Sequence, residues 1–285
     1  MKLKILLFLI GFVSISYAWG PNTHMAITEQ ALSDAPNTII KQIITDNIDA
    51  YYAGLMFPDV TVIYYYTNFK TYRATHNWDF FYKCLELAVS DDERAFCYGI
   101  GTHMAQDCVA HNKYVPLKLH EFNMPNWFFH PLVEAKVESH YLRPETTHAM
   151  DSADQYMPLT IKALNRDFTS EMYTLRTAIG GQNFYNTAYA APTTSPLYGI
   201  YNWFCQNILV KLWGAEDAQP YLDEASELTL QLYQGTYPLL DPSGAKALHD
   251  AEKTSKIITN FLIVAGLLFF APVFYKIYKK IRGKK

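Results

Sequence analysis

Three polar residues recur every four positions in the apolar segment from Gly99 to His111 of this 285-residue chain. They are His103, Asp107 and His111. Each four-residue step along an α-helix advances about 400°, so the three side chains form one stripe. Because the flanking residues are apolar or small, burial of the stripe is expensive unless something neutralises and coordinates it. The chain must fold so that partners converge there, and metal ions suit that role; a solvated helix face is the alternative.

A second pair of polar residues has the same spacing. His130 and Glu134 are four residues apart, and Pro131 fits the first position of a helix, so both should project from the start of a new helix. Taken alone, the pair could equally be a surface ion pair. Eight of the nine histidines precede residue 150, and this clustering favours a shared site.

Three more candidates lie nearer the amino terminus. His24 falls on the first predicted helix, and His76 lies at a helix start. Asp59 lies in a predicted turn, Phe57-Pro58-Asp59. Each alone is ordinary, because such histidines cap helices or fill cores and aspartate is common in turns.

Apolar residues at three- and four-residue spacing predict an all-α fold, with one compact multi-helix domain over residues 19–252. Gly99 and Gly101 should let another backbone approach the polar stripe. The predicted helices cover residues 23–33, 38–52, 77–89, 92–113, 131–142, 151–165, 168–179, 198–213 and 218–233, with Pro116 among the breakers between them.

The amino-terminal segment resembles a cleaved signal peptide, residues 1–18. Lys2 and Lys4 precede an apolar run at 5–15, and small residues stand at Ser16 and Ala18. Cleavage after Ala18 would make Trp19 the mature terminus, whose free amine and carbonyl oxygen can chelate a metal. An uncleaved anchor is the alternative.

The carboxyl-terminal segment predicts a membrane anchor. Residues 257–275 carry no charge and are long enough for a transmembrane helix, after a short linker at 253–256. The tail at 276–285 is basic and should be cytoplasmic. We therefore expect a single-pass protein of the cell membrane, with its domain outside the cytoplasm in the periplasm or the extracellular space. A buried core helix is the alternative.

The exported body is acidic. All 27 Asp and Glu residues lie within 19–252, whereas ten of the 24 Lys and Arg residues lie outside that range. The resulting charge of about −13 disfavours binding to nucleic acid. The four cysteines are few for a disulfide scaffold, and Cys84 with Cys97 is the most plausible pair.

Together these residues resemble the zinc-dependent phospholipase C family, which shares its fold with single-strand-specific zinc nucleases. The resemblance covers roughly residues 19–140. It implies an all-helical domain holding three zinc ions. The residues that match the family pattern are Trp19, His24, Asp59, His76, His103, Asp107, His111, His130 and Glu134.

The resemblance also implies how the ions are shared, with Asp107 bridging two of them. His76 and His103 would hold one ion of this pair, with Asp59 close by. His24 and the backbone of Trp19 would hold the other. His111, His130 and Glu134 would take the third. Asp59 is our candidate catalytic residue, to orient the attacking water or take its proton.

Two departures from the bacterial secreted enzymes limit the resemblance. His111 follows Asp107 by four residues rather than six, a spacing closer to the phospholipase domain of glycosylphosphatidylinositol-specific phospholipase D, and His120 is a weaker substitute. Asn22 stands where those enzymes carry a glutamate that contacts choline, so head-group preference does not transfer.

The sequence thus favours a membrane-anchored, exported zinc phosphodiesterase of phospholipase C type. It would hydrolyse a phospholipid or related phosphoester with a water activated by the three zinc ions. The alternatives are an extracellular zinc nuclease or nucleotidase on the same scaffold, and a non-catalytic metal-binding surface protein. The oligomeric state stays open.

Overall fold

The structure is a computed structural model that describes residues 19–60, 74–122, 126–138, 140–141, 148–165, 216–238 and 240–251. Regular structure over these ranges is helical, and they contain no strand. The prediction of an all-α domain is therefore confirmed for the described part of the chain.

Nine α-helices organise the described residues. They are α1 (Pro21–Asp34), α2 (Ile39–Asp46), α3 (Ile48–Val60), α4 (Trp78–Leu87), α5 (Asp91–Val109), α6 (Val115–Phe122), α7 (Asn126–Glu138), α8 (Met157–Ala163) and α9 (Gln219–Tyr233). A π-helical turn, Ala110–Tyr114, joins α5 to α6, and 3₁₀ turns precede α8 and α9. Residues 245–251 are also helical, and the sequence pattern did not predict this segment.

Helix α5 is the centre of the domain. It packs against α3, α4 and α9, and its residues are buried almost without interruption from Ala95 to Val109. Along α5, Met104 belongs to one apolar cluster and Val109 to a second. Asp107 lies between them in the sequence, so α5 carries its polar stripe through the junction of the two clusters.

Glycines allow α3 and α5 to cross at backbone contact. A Cβ added at Gly99 would lie 2.1 Å from the carbonyl oxygen of Tyr51, and one added at Gly54 would lie 1.9 Å from that of Phe96. Real Cβ atoms do not approach backbone atoms so closely. The close approach predicted for Gly99 is therefore confirmed.

Side-chain caps fix where α2, α4 and α5 begin. The side chains of Thr38, Asn77 and Ser90 accept hydrogen bonds from backbone N–H groups in the first turn of each helix. On α5, Glu93 also accepts from the N–H of Val89 at 2.6 Å, and three acidic residues in the first turn complement the helix dipole.

Three proline-based predictions were wrong. The segment Phe57-Pro58-Asp59 is not a turn, because α3 continues through Pro58 to Val60; the proline falls in the last turn of the helix. Pro116 does not end the helix, because helical residues continue without a break from the π-helical turn through α6. Pro131 lies inside α7, which begins at Asn126.

The predicted disulfide is present. Cys84 on α4 and Cys97 on α5 are joined, with their Cα atoms 5.6 Å apart. The bond fixes α4 against the central helix. Cys108 is a buried free thiol.

The described residues include no helix both long and apolar enough to cross a bilayer. The predicted signal peptide at 1–18 and membrane helix at 257–275 lie outside the described residues, as do the predicted helices at 168–179 and 198–213.

The helix crossing predicts unequal responses to alanine at two neighbouring glycines. Gly99→Ala should lower the free energy of unfolding by about 3 kcal/mol, because its Cβ meets backbone atoms of α3. Gly101→Ala should cost about 1 kcal/mol or less, because its Cβ meets only side-chain atoms of Phe81 and Leu232 and alanine favours the helix. Denaturant unfolding followed by circular dichroism measures both, and equal losses would contradict the backbone contact.

Candidate metal centre

The polar stripe of α5 is completely buried. His103 and Asp107 lie on the helix, and His111 lies in the π-helical turn that follows it. All three have no exposed surface. The structure therefore excludes a solvated helix face.

Three imidazoles surround the carboxylate of Asp107. Its Oδ2 lies 3.1 Å from Nε2 of His103 and 3.5 Å from Nε2 of His76. Its Oδ1 lies 3.7 Å from Nε2 of His24. Each of the two carboxylate oxygens thus faces at least one histidine.

Asp59 joins this group from the end of α3. Its Oδ1 lies 3.5 Å from Nε2 of His76 and 3.7 Å from Nε2 of His103. Its side chain is 13% exposed, whereas those of His76, His103 and Asp107 are fully buried. Among these four side chains, that of Asp59 is the one with solvent-exposed surface.

A second group forms where the π-helical turn meets α7. Nε2 of His111 lies 3.5 Å from Oε1 of Glu134, and Nε2 of His130 lies 2.7 Å from the same oxygen. All three residues are buried, so the surface ion pair is excluded. Nδ1 of His111 lies 3.8 Å from Asp107, which places the two groups side by side.

Hydrogen bonds fix which ring nitrogen of two histidines carries the proton. The backbone carbonyl of Leu55 accepts from Nδ1 of His103 at 2.9 Å, and that of Pro242 accepts from Nδ1 of His111 at 2.8 Å. A carbonyl oxygen can only accept, so Nδ1 is protonated in both rings. Each Nε2 can then offer its lone pair to the centre.

The same arrangement recurs at His24. Its Nδ1 lies 2.5 Å from Oε1 of Gln106, whose amide nitrogen donates to Thr28. At His76, the ring Nδ1 lies 3.2 Å from the hydroxyl of Thr75, which itself donates to the carbonyl of Pro58. In each ring a polar contact at Nδ1 fixes the orientation and leaves Nε2 facing the centre, as in metal sites.

Burial and nearby charges shift the pKa values of residues at the centre. Burial would raise the pKa of Asp107, but the surrounding histidines, His103 first, hold it well below its usual range. Burial opposes protonation of His111, yet the carboxylates of Asp107 and Glu134 raise its pKa to about 10. Burial together with His103 lowers the pKa of His24 to about 4, so at neutral pH the ring is uncharged and can offer a lone pair to a metal ion.

The unmatched polar atoms indicate what the centre holds. Several buried atoms make no hydrogen bond within the described part of the chain: Nε2 of His24 and of His103, both carboxylate oxygens of Asp107, Oδ1 of Asp59 and Oε2 of Glu134. Leaving such groups unsatisfied costs several kcal/mol each. Mixed imidazole and carboxylate ligands of this kind fit zinc ions. They converge in three sets: His24 with Asp59 and His103, His76 with His103 and Asp107, and His111 with His130 and Glu134.

The amino-terminal segment is anchored beside the second group. Trp19 is fully buried and belongs to the same apolar cluster as Val137 on α7. Glu138, one turn beyond Glu134, accepts hydrogen bonds from Asn22 and Thr23, two from each, at 2.6–2.9 Å. The chelate at the Trp19 backbone stays a prediction, because residue 18 lies outside the described residues.

The sequence pattern indicates the histidines and carboxylates but not the residues that orient them. Gln106 could have been found, because it is a lone amide next to Asp107 on an apolar helix. The carbonyl of Pro242 gives no sequence signal, because every residue has one. His120 is exposed, so His111 and not His120 is the histidine brought to the centre.

Comparison with known proteins agrees with this geometry. Residues 23–178 match the model of the family described as zinc dependent phospholipase C, and this range is more than half of the chain. Searches of curated proteins and of solved structures gave no significant match. The family match includes every candidate ligand except Trp19. The chain therefore belongs to the zinc-dependent phospholipase C family.

Proposed function

We propose that this protein is an exported, membrane-anchored phosphodiesterase of phospholipase C type that uses zinc. The observation that carries the proposal is the buried centre. There, histidine Nε2 atoms converge on carboxylates, and hydrogen bonds at Nδ1 fix the orientation of the rings. Family membership supports zinc and phosphoester hydrolysis. The sequence of residues 257–275 supports the membrane anchor.

Three ions account for the whole donor set. His76, His103 and Asp59 would hold one, with Asp107 bridging it to a second. His24 and the backbone of a mature Trp19 would complete the second. The second group, His111, His130 and Glu134, would hold the third. When bound, zinc ions supply Lewis acidity that makes a water nucleophilic and stabilises charge on the phosphate.

The protein's own side chains orient the attacking water and accept its proton. Asp59 is the one carboxylate of the first group with an exposed edge, so it is placed to accept a hydrogen bond from the attacking water and take its proton. Asp107 is held ionised by its histidine neighbours. It therefore keeps the field at the centre fixed throughout the reaction.

The membrane anchor favours lipid substrates. A single spanning helix would keep the domain beside phospholipid head groups at a high effective concentration. The acidic body opposes sequence-independent attraction to nucleic acid. We therefore assign a phospholipid, or another lipid-linked phosphoester, as the substrate class.

Replacing the bridging carboxylate should remove metal and activity together. In full-length protein in detergent, Asp107→Asn should lose at least one of about three bound zinc ions, because the neutral amide cannot hold two cations. Hydrolysis should fall by about 1,000-fold or more, since several kcal/mol of transition-state stabilisation is lost. Asp91→Asn, an exposed position on the same helix, is the control. Full zinc content in Asp107→Asn would contradict the bridging role.

The substrate class is tested in mixed micelles of phospholipid and detergent. The full-length protein should release phosphorylated head groups and diacylglycerol. At saturating free zinc, Asp59→Asn should lose about 100- to 10,000-fold in kcat, because the amide cannot take the proton of the attacking water. Cleavage of single-stranded nucleic acid or 3′-nucleotides instead would favour a nuclease. No turnover with one tightly held zinc would favour a non-catalytic protein.

The mature amino terminus should be Trp19, and binding of the second ion should depend on its free amine. Amino-terminal sequencing of the membrane-inserted protein should begin at Trp19. A glycine inserted between Ala18 and Trp19 should cost about one zinc per chain, because the amine is displaced while every side chain stays intact. A Met1 or blocked start, or unchanged zinc after the insertion, would contradict the chelate.

A further inference from the structure

A short segment far along the chain contacts the back of the second metal group. Residues 240–244, which we call the clasp, lie beyond the part of the chain that matches the family model. Carbonyls of the clasp accept hydrogen bonds from helix and π-turn side chains. That of Leu240 accepts from Trp78 on α4 at 2.8 Å, and that of Asp241 accepts from Asn112 at 2.7 Å.

The third contact of the clasp reaches a candidate ligand. The carbonyl of Pro242 accepts from Nδ1 of His111 at 2.8 Å. This bond places the proton on Nδ1 and directs Nε2 toward Glu134, 3.5 Å away. His111 is fully buried, so with the clasp in place the carbonyl of Pro242 is the partner that fixes this nitrogen. The orientation of the ring thus depends on where the backbone of the clasp lies.

Gly244 brings the clasp within reach of His111. Its φ is +55°, and a Cβ there would lie 2.4 Å from both Cβ and the carbonyl oxygen of His111. Only glycine meets both constraints without a shift. Asp241 closes the loop on itself by accepting from the N–H and hydroxyl of Ser243. The clasp is therefore a preformed turn seated on the π-helical turn.

We propose that the clasp is a positioning element for His111, and that it sets zinc affinity at the group of His111, His130 and Glu134. The proposal rests on the metal set of the proposed function. It differs from a purely structural role, because the clasp would act on one metal group and leave the group around Asp59 and Asp107 occupied.

A pair of glycine variants separates the two roles. Gly244→Ala combines the strain of a positive φ with a collision at His111. Gly235→Ala, at φ +80°, has the same kind of strain, but nothing lies within 4 Å of the added Cβ. Zinc bound per chain is measured on the full-length protein in detergent at buffered free zinc. We expect Gly244→Ala to bind one zinc about 10- to 100-fold more weakly, and Gly235→Ala to bind as wild type.

Further readouts separate positioning from loss of folding. In cobalt-substituted protein, Gly244→Ala should lose part of the visible absorption, and excess metal should restore it. If Gly244→Ala fails to fold, Asn112→Ala takes its place, because it removes the hydrogen bond to the clasp carbonyl of Asp241, together with one to the carbonyl of Cys108, and leaves the His111 side chain in place. Equal zinc affinity in Gly244→Ala and Gly235→Ala would overturn the proposal, as would unchanged affinity in Asn112→Ala where that variant is used.

The proposal can fail separately from the proposed function. If wild-type protein binds zinc but hydrolyses no phosphoester, the affinity comparison still decides the role of the clasp. If wild-type protein binds no zinc, the proposed function fails. Nitrogen-15 shifts of the His111 ring then decide whether Nδ1 is protonated in wild type and loses that state in Gly244→Ala. An unchanged ring would overturn the positioning role.

Discussion

The burial of the Asp107 carboxylate on the central helix is the constraint on which the remaining structure depends. An isolated carboxylate in a protein interior costs several kcal/mol, and the fold must supply compensating charge within a few ångströms. It does so by directing His24, His76 and His103 to the two carboxylate oxygens. These residues come from α1, from the segment before α4 and from α5 itself. The separate elements therefore have to pack around α5 so that their histidines can compensate the charge of the Asp107 carboxylate.

Close packing makes this convergence possible. Gly54 and Gly99 let the backbones of α3 and α5 touch. The carbonyl of Leu55 then lies within 2.9 Å of the His103 ring, and the end of α3 brings Asp59 to the same imidazole. A wider crossing would separate the ring from both. The glycines, which lower helix propensity, thus serve the geometry of the site as well as the core.

The features that could be predicted from the sequence are local. His103, Asp107 and the pair on α7 are spaced by one helical turn, so the sequence alone places them on one face. What could not be predicted depends on tertiary contact. Pro58 predicts a turn, yet α3 continues through it. The partner of His111 is a backbone carbonyl from residue 242, and no side-chain pattern indicates such a group.

Protons and metal ions are alternative sources of the positive charge that compensates the buried carboxylates. The folded-state pKa of His111 is raised to about 10, above its ordinary 6.5. In the metal-free chain, its protonated ring therefore stabilises the fold fully below pH 6.5, and this contribution is lost as pH rises toward 10. A cation shared with Glu134 would supply the same compensation without the proton. Zinc binding at this group would thus release protons and strengthen as pH rises, so the metal would replace protons as the source of positive charge in the core.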